Sequence, residues 1–168
     1  MILYGRTHCV GDNVGCDMII APALHDTSDP AVLAAHCLAD ADPALADAAR
    51  EGDVLLAGNN FGWGDAPEPA VVALQAVGLA AIVAASADAG FVQVAAGYGL
   101  PVLISSAATA IAAGHVVRLD LAAGTIADRD TGAHFSANPS TPELVAAVRR
   151  AQLLRRMRQV VDEEGFDG

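Results

Sequence analysis

Between residues 53 and 105, short apolar runs alternate with helix-like stretches, and this alternation constrains the fold more than any other feature. Residues 53–58, 80–84 and 101–105 are apolar runs of the length typical of buried strands. Residues 67–77 and 88–96 lie between them; the first begins with proline and both are followed by glycine, as helices often are. A β-α-β-α-β order predicts an α/β fold with a parallel sheet core flanked by helices.

The segments on either side predict further elements of one domain covering residues 1–168. A helix should begin at Ser28-Asp29-Pro30 and run to about Ala39. Residues 116–121, 125–127 and 133–136 predict a small antiparallel β layer. Residues 142–161 predict an amphipathic C-terminal helix. The spacing places these apolar residues on one face: Leu144, Val148, Ala151, Leu154, Met157 and Val161.

Charge and composition exclude several classes of protein. Apolar residues make up 54% of the chain and charged residues 17%, which argues against disorder. Nine basic against twenty acidic residues give a formal charge of −11, which argues against a nucleic-acid partner. No apolar run reaches membrane length and no leader is visible, so we expect a cytoplasmic protein without a membrane contact.

The basic residues are all arginines, and five of them lie in the C-terminal helix: Arg149, Arg150, Arg155, Arg156 and Arg158. They are interpreted as a solvated helix face, with an acidic partner as the alternative.

The three cysteines, Cys9, Cys16 and Cys37, form no C-x-x-C pair, so neither a disulfide framework nor a metal site is expected. We predict that the three thiols are reduced and that this chain carries no cofactor of its own. Cys16 could act as a nucleophile only with a base beside it.

Residues 58–68 carry the most functional information, because they follow a strand, open a helix and contain three glycines. That junction is the usual ligand crevice of α/β sheets. Asp65 and Glu68 have the spacing of a capping box, with Pro67 in the first turn, so helix capping and acid–base chemistry are both open. Trp63, between two glycines, predicts a site wall or a subunit contact.

A second polar cluster lies at residues 11–17 and 25–29. Asp12, Asn13 and Asp17 are of the types that tie loops to their own backbone. His25 is a possible acid or base, because the pKa of histidine lies near neutrality, or else an inert loop residue.

Several motifs occur together in one order: Gly11-Asp12-Asn13-Val14, Thr27-Ser28-Asp29-Pro30, Ala57-Gly58-Asn59-Asn60-Phe61-Gly62 and Gly99-Leu100-Pro101-Val102-Leu103. Over about residues 5–160 the chain resembles the small subunit of 3-isopropylmalate dehydratase, the swivel domain of the aconitase superfamily. The resemblance implies a swivelling β/β/α fold. It also implies a separate large subunit holding a [4Fe–4S] cluster, with the active site between the two subunits.

The chain departs from the family at the site. The family follows Phe-Gly with Cys-Gly-Ser-Ser-Arg-Glu, where a serine is the base and the arginine grips substrate carboxylate; here the run is Trp63-Gly64-Asp65-Ala66-Pro67-Glu68. An Arg-Tyr-Leu stretch of the family is Ala23-Leu24-His25 here, and its aspartate after Asp-Asn-Val is Gly15. Alanine or proline cannot replace a bidentate arginine–carboxylate contact, so we expect poor turnover of isopropylmalate.

Two hypotheses follow. The first is a diverged lyase or isomerase, or half of one, acting on a small-molecule substrate less anionic than isopropylmalate, with specialised metabolism as an open setting for it. Its catalytic residues are predicted to be Asp65, His25 and Glu68, and its substrate-binding residues Asn60, Trp63, Gly64, Leu24, Asp26 and Thr27. The second is a non-catalytic structural or regulatory subunit of an aconitase-type large subunit. A homo-oligomer is open under both.

Overall fold

Four parallel strands form one half of the sheet in the computed structural model, which describes residues 1–163. They are β1 (Ile2–Cys9), β2 (Val54–Ala57), β3 (Ala81–Ala84) and β4 (Val102–Ile104). Neighbouring strands pair in parallel, and β2 and β3 are buried throughout. Parallel strands covered on both faces have this uniformly apolar character. The three strands predicted between residues 53 and 105 are confirmed.

The central strand, β1, is absent from the sequence prediction. Its sequence ILYGRTHC interrupts the apolar residues with glycine, arginine and histidine, so no continuous apolar run marks it. Leu3 and Thr7 are buried while Ile2 and Tyr4 are exposed, which is the alternation of a strand with one solvent-facing side. β1 is the strand on which the parallel and antiparallel halves meet.

Three antiparallel strands complete a seven-stranded sheet in the order β4-β3-β2-β1-β5-β6-β7. They are β5 (Val116–Asp120), β6 (Thr125–Asp128) and β7 (His134–Ser136). These strands confirm the predicted hairpins. They extend the main sheet, since β5 pairs along β1 from Arg6 opposite Val116 to Ile2 opposite Asp120, and they do not form a separate flanking layer.

Seven α-helices of the described residues 1–163 surround the sheet: α1 (Cys16–Ile19), α2 (Pro30–His36), α3 (Leu45–Ala48), α4 (Pro67–Ala76), α5 (Ala89–Gly97), α6 (Ala107–Ala110) and α7 (Pro142–Glu163). α4 and α5 match their predictions closely. α2 stops before Ala39, because Cys37 is extended and Leu38 has a φ of 56°.

The two faces of the sheet bury separate apolar cores. On one face α2, α4 and α5 contribute Leu33, Leu74 and Phe91, among others. On the other face α6 contributes Ala107, and the first half of α7 contributes Val148, to a core that includes Leu119 of β5.

The C-terminal helix is confirmed, but the face predicted to be apolar and covered is covered only in its first half. Val148 is buried, and Ala151 packs against Gly99. Leu154 and Met157 are 49% and 56% exposed. The side chains of Arg155 and Val161, which the prediction included, lie outside the described part of the chain. None of the helices in residues 1–163 is long and apolar enough to cross a membrane.

Candidate active site

The loops that follow β1 and β2 lie side by side, because parallel strands bring their carboxyl ends to one edge of the sheet. Asn13 N–H donates to the Asn59 carbonyl at 2.8 Å, and Gly62 N–H donates to the Val14 carbonyl at 2.8 Å. Asp12 Oδ1 accepts from Asn59 N–H at 2.7 Å. Asp12 was predicted to tie its loop to its own backbone; its carboxylate instead ties the loop after β2 to the loop after β1.

Asn60 joins three loops at this edge. Its backbone is left-handed, with a φ of 58°, and its Nδ2 donates to Asn13 Oδ1 at 3.2 Å. Its N–H donates to Ser86 Oγ at 2.8 Å. Ser86 was missed by sequence reasoning, although a signal was available: it is the first polar residue after the buried strand β3.

Trp63 forms a fixed wall beside these loops. Its Nε1 donates to the Asn13 carbonyl at 3.0 Å, and its own carbonyl accepts from Cys16 N–H. The indole lies directly over Gly15, where a Cβ would come within 2.6 Å of Trp63 Cε2. Because the side chain is still 45% exposed, a ring surface remains open to a ligand or to a second subunit.

The predicted capping box at Asp65 and Glu68 is wrong. Ala66 is the N-cap residue of α4, with a φ of 59°, and no side chain caps the helix. Gly64 also has positive φ, at 100°, so the chain reaches the helix through two left-handed residues and Asp65 is placed too early to cap it. Asp65 and Glu68 are both exposed, and their carboxylates stay outside the helix cap.

Residues 25–29 of the second polar cluster follow α1 in the chain. His25 Nε2 is 3.3 Å from the Ile20 carbonyl and 3.9 Å from Asp17 Oδ1. Leu24 accepts from Thr27 N–H in a turn, and Asp26 is exposed.

The structure therefore brings Asn60, Trp63, Gly64 and Asp65 together with Asn13 and Ser86. Leu24, His25, Asp26 and Thr27 belong to the segment that follows α1, where the ring of His25 lies near Asp17. Within residues 1–163 no hydrogen bond or ion pair links His25 to Asp65.

Cys16 is buried beneath the Trp63 loop and donates from Sγ to the Gly62 carbonyl at 3.3 Å. Burial, together with the negative charges of Asp17, Asp88 and Asp65, raises the pKa of its thiol to about 11. A thiol with this pKa is protonated at neutral pH and is not an activated nucleophile. The charges of these three carboxylates all act on the thiol, so this part of the crevice is negative.

The arginines of the described residues make their contacts elsewhere. Arg6 Nη1 donates to the Gly114 carbonyl, Arg50 Nη1 to the carbonyls of Asp47 and Ala49, and Arg129 stacks on Tyr4. On α7, Arg158 lies beside Tyr98 at the opposite end of α5 from the crevice. The crevice is thus acidic and amide-rich.

An iron–sulfur cluster does not fit the cysteines of this chain. The Cys9 thiol points to the Ile111 carbonyl at 3.7 Å, Cys16 to Gly62, and Cys37 is buried in the core with a pKa raised to about 12 by desolvation. In the part of the chain that the structure describes, His115, Asp128 and Asp130 are the one group whose ligand atoms approach one another, and it contains no cysteine.

Comparisons with known proteins identify relatives along nearly the whole chain. A 3-isopropylmalate dehydratase small subunit of Moorella thermoacetica is 40% identical over 151 residues, covering 88% of this chain and 91% of that protein. Small subunit 1 of Methanopyrus kandleri is 33% identical and covers 99% and 98%. A crystal structure of 3-isopropylmalate dehydratase from Methanocaldococcus jannaschii superposes with a TM-score of 0.82 at 32% identity, covering 99% of this chain and 100% of that one.

No family model matches the chain. The similarity to these relatives nevertheless extends through both halves of the sheet and both loops of the crevice, at identities well above those of fold likeness alone. The chain belongs to the family of 3-isopropylmalate dehydratase small subunits.

Proposed function

We propose that this chain is a diverged small subunit that works with an aconitase-type large subunit as half of a hydro-lyase or isomerase. The pairing follows from the relatives, which are named small subunits of 3-isopropylmalate dehydratase. The proposed substrate carries less negative charge than isopropylmalate. The observation that carries this proposal is the crevice itself, in which Asp65 stands free of the helix cap and the described arginines lie elsewhere.

Electrostatics favours such a substrate. A dicarboxylate is normally held by arginine forks, which supply both charge and paired hydrogen bonds. Here Asp17, Asp65 and Asp88 surround the Cys16 position, and a second carboxylate on a substrate would meet repulsion instead of a partner. Neutral hydroxyl or amide groups would find partners in Asn60 and Ser86.

Asp65 is the proposed acid or base. A carboxylate that caps a helix is occupied by backbone N–H groups, whereas the Asp65 oxygens can accept a hydrogen bond or a proton from substrate. Trp63 and Gly64 would line one side of the substrate and Asn60 the other. Glu68, exposed on the first turn of α4, is a second carboxylate within the same segment.

His25 would be the complementary proton carrier, with Leu24, Asp26 and Thr27 lining that side. Its ring faces Ile20 and Asp17, so it must leave these partners when substrate and large subunit bind. Because no hydrogen bond or ion pair links His25 to Asp65 within residues 1–163, a second candidate function is a non-catalytic subunit that stabilises or regulates the large subunit.

The test is the reconstituted complex with the large subunit of the same genome, assayed on isopropylmalate and on analogues in which one or both carboxylates are neutral. We expect faster turnover of the less charged analogues, and a loss of about 10²–10⁴-fold in kcat for Asp65→Asn. Because Asp65 does not cap α4, Asp65→Asn should unfold like the wild type, and Glu143→Gln on α7 is the matched carboxylate control.

Full activity of Asp65→Asn would remove this residue from the chemistry. Robust turnover of isopropylmalate would contradict the proposed change of substrate. A complex that is inactive on every analogue, but in which this chain raises the thermal stability of the large subunit, would support the non-catalytic alternative.

A further inference from the structure

The second half of α7 exposes a continuous apolar stripe. Leu153, Leu154, Met157 and Val160 are 58%, 49%, 56% and 51% exposed. Positions separated by three, four and seven residues share one face of a helix, so these side chains adjoin one another. Scattered exposed apolar residues are common, but a contiguous group rimmed by polar residues marks an interaction surface.

The rim of this stripe is basic in an otherwise acidic chain. Residues 142–160 contain five arginines against one glutamate, while the whole chain has a formal charge of −11. Four of these arginines, Arg149, Arg150, Arg156 and Arg158, are described and exposed. Their charges have no ion-pair partner among the described residues.

The opposite end of the same layer of helices is acidic. Residues 29–51 contain five acidic residues and one arginine, Arg50, whose guanidinium donates to the carbonyls of Asp47 and Ala49. Asp40 and Asp47 are exposed. The layer runs from α2 to α4, from α4 to α5 and from α5 to α7, as the contacts between consecutive helices show.

The centre of the layer is almost uncharged. α5 contains no charged residue, and α4 contains only Glu68 in its first turn. A surface cavity of about 280 Å³ lies where α4, α5 and α7 meet, lined by Val72, Gln75, Tyr98, Ala151, Leu154 and Arg158. We name the outward surface of α2, α3, α4, α5 and the second half of α7 the helical face. It is acidic at one end, neutral in the middle and basic at the other.

We propose that the helical face is the interface of a two-fold symmetric dimer of this chain. A two-fold axis through the neutral centre brings α7 of one copy onto the α2–α3 end of the other, twice. Arginines then face aspartates in both halves, and the apolar stripe is removed from water. Direct pairing of α7 with α7 would oppose arginine to arginine.

The size of the contact requires the central helices. Stable interfaces bury about 1,200–2,000 Å² in total, more than one apolar stripe on a single helix supplies. The contact therefore extends over Val72, Gln75 and Tyr98, and Tyr98, 41% exposed, is of the residue type enriched at interface centres.

The first measurement is the mass of the full chain in solution by sedimentation equilibrium and light scattering. We expect two copies per particle at micromolar concentration. The double variant Leu153→Glu and Met157→Glu should be a single copy with an unchanged circular dichroism spectrum, because both side chains are exposed in the single chain. Ala110→Glu, exposed on α6 at the other face of the sheet, is the control and should remain a dimer.

The second measurement tests the charge pairing. One variant carries Arg149→Glu and Arg156→Glu, and the other carries Asp40→Arg and Asp47→Arg. Each alone opposes like charges and should be a single copy. Mixed, they restore opposite charges in both halves of the interface, so native mass spectrometry should show a one-to-one heterodimer.

A wild-type chain that stays monomeric, or a dimer that survives both sets of variants, overturns the proposal. Binding of the wild-type chain, but not of the double glutamate variant, to the large subunit or to anionic phosphatidylserine vesicles would assign the helical face to that occupant instead. None of these measurements involves turnover, so their result is independent of the proposed function.

Discussion

A histidine–aspartate pair at the antiparallel end of the sheet differs from a histidine–aspartate pair beside the carboxyl edge of its parallel half. In the antiparallel half His115 Nδ1 lies 2.9 Å from Asp128 Oδ2, and the Asp128 side chain is 3% exposed. At the carboxyl edge of the parallel half, His25 Nε2 lies 3.9 Å from Asp17 Oδ1, and Asp17 is 69% exposed. The aspartate of the first pair is buried and the aspartate of the second is exposed, so we call them the closed pair and the open pair.

The carboxylate of the closed pair makes hydrogen bonds that hold β5 and β6 together. Asp128 Oδ1 also accepts from Asp130 N–H at 3.0 Å, and Asp130 Oδ2 accepts from Val116 N–H at 2.8 Å, which links the end of β6 to the start of β5. At the open edge Asp17 and Asp65 keep free carboxylate oxygens. A satisfied polar cluster stabilises a fold, whereas groups left available at a strand edge serve binding or chemistry.

The largest expected effect breaks the closed pair. Asp128→Ala removes the acceptor of both His115 and Asp130 N–H, so the free energy of unfolding should fall by about 3 kcal/mol, measured by urea denaturation. Asp17→Ala is the matched variant of the open pair and should change it by less than about 0.5 kcal/mol. Equal losses in the two variants would show that the halves do not differ in this respect.

A medium effect tests whether the open edge is nevertheless rigid. Gly15→Ala places a methyl group against the Trp63 ring and should displace the indole from the Asn13 carbonyl, at a cost of about 1–2 kcal/mol. Tryptophan fluorescence should shift to the red as the ring becomes more exposed. Gly11→Ala meets no atom within 4 Å and is the control. An unshifted spectrum in Gly15→Ala would mean that the Trp63 loop adapts freely.

The smallest expected effect is the pH dependence of the closed pair. The hydrogen bond to Asp128 raises the pKa of His115 above its ordinary value of 6.5, against the effect of desolvation. Desolvation acts to raise the pKa of Asp128, but hydrogen bonds from His115, Asp130 and Thr131 outweigh it and the pKa is lowered from 3.8.

Protonated His115 therefore stabilises the fold fully below pH 6.5, and this contribution is lost as the pH rises through its raised pKa. Ionised Asp128 contributes above pH 3.8 and loses its contribution as the pH falls through its lowered pKa. The urea midpoint should be lower at pH 8 than at pH 6. His115→Gln should flatten that difference, while His134→Gln, exposed on β7, should not. A profile that His115→Gln leaves unchanged would contradict the assignment.

Much of the parallel half could be predicted from local pattern. The strands β2, β3 and β4 are short apolar runs, and α4 and α5 are bounded by prolines and glycines, so neighbouring residues alone specify them. β1 could not be predicted in this way. Its polar residues are satisfied by remote ones: Thr7 Oγ1 donates to the Ala112 carbonyl, and His8 Nε2 lies 2.7 Å from Asp53 Oδ2.

The candidate site likewise has a part that local sequence predicts and a part that depends on tertiary contacts. The position of residues 58–68 at the edge of the sheet was predictable, because a loop after a parallel strand always lies there. The role of Asp65 within it was not, because two left-handed residues, Gly64 and Ala66, decide which residue caps α4. His25 was placed by the contacts of α1, which no spacing in the sequence describes.

The sequence by itself determined the order of β-α units, the membership of the small-subunit family and the absence of arginine from residues 58–68. These properties depend on residue type and on neighbours within a few positions. Only the tertiary structure decided that β1 joins the two halves of the sheet and that Asp65 does not cap α4. It also decided that Trp63 packs on Gly15 and that the apolar side chains of α7 are exposed from Leu153 onward. Each of these depends on which distant segment covers or contacts a residue, because burial and hydrogen-bond partners are properties of the packed chain.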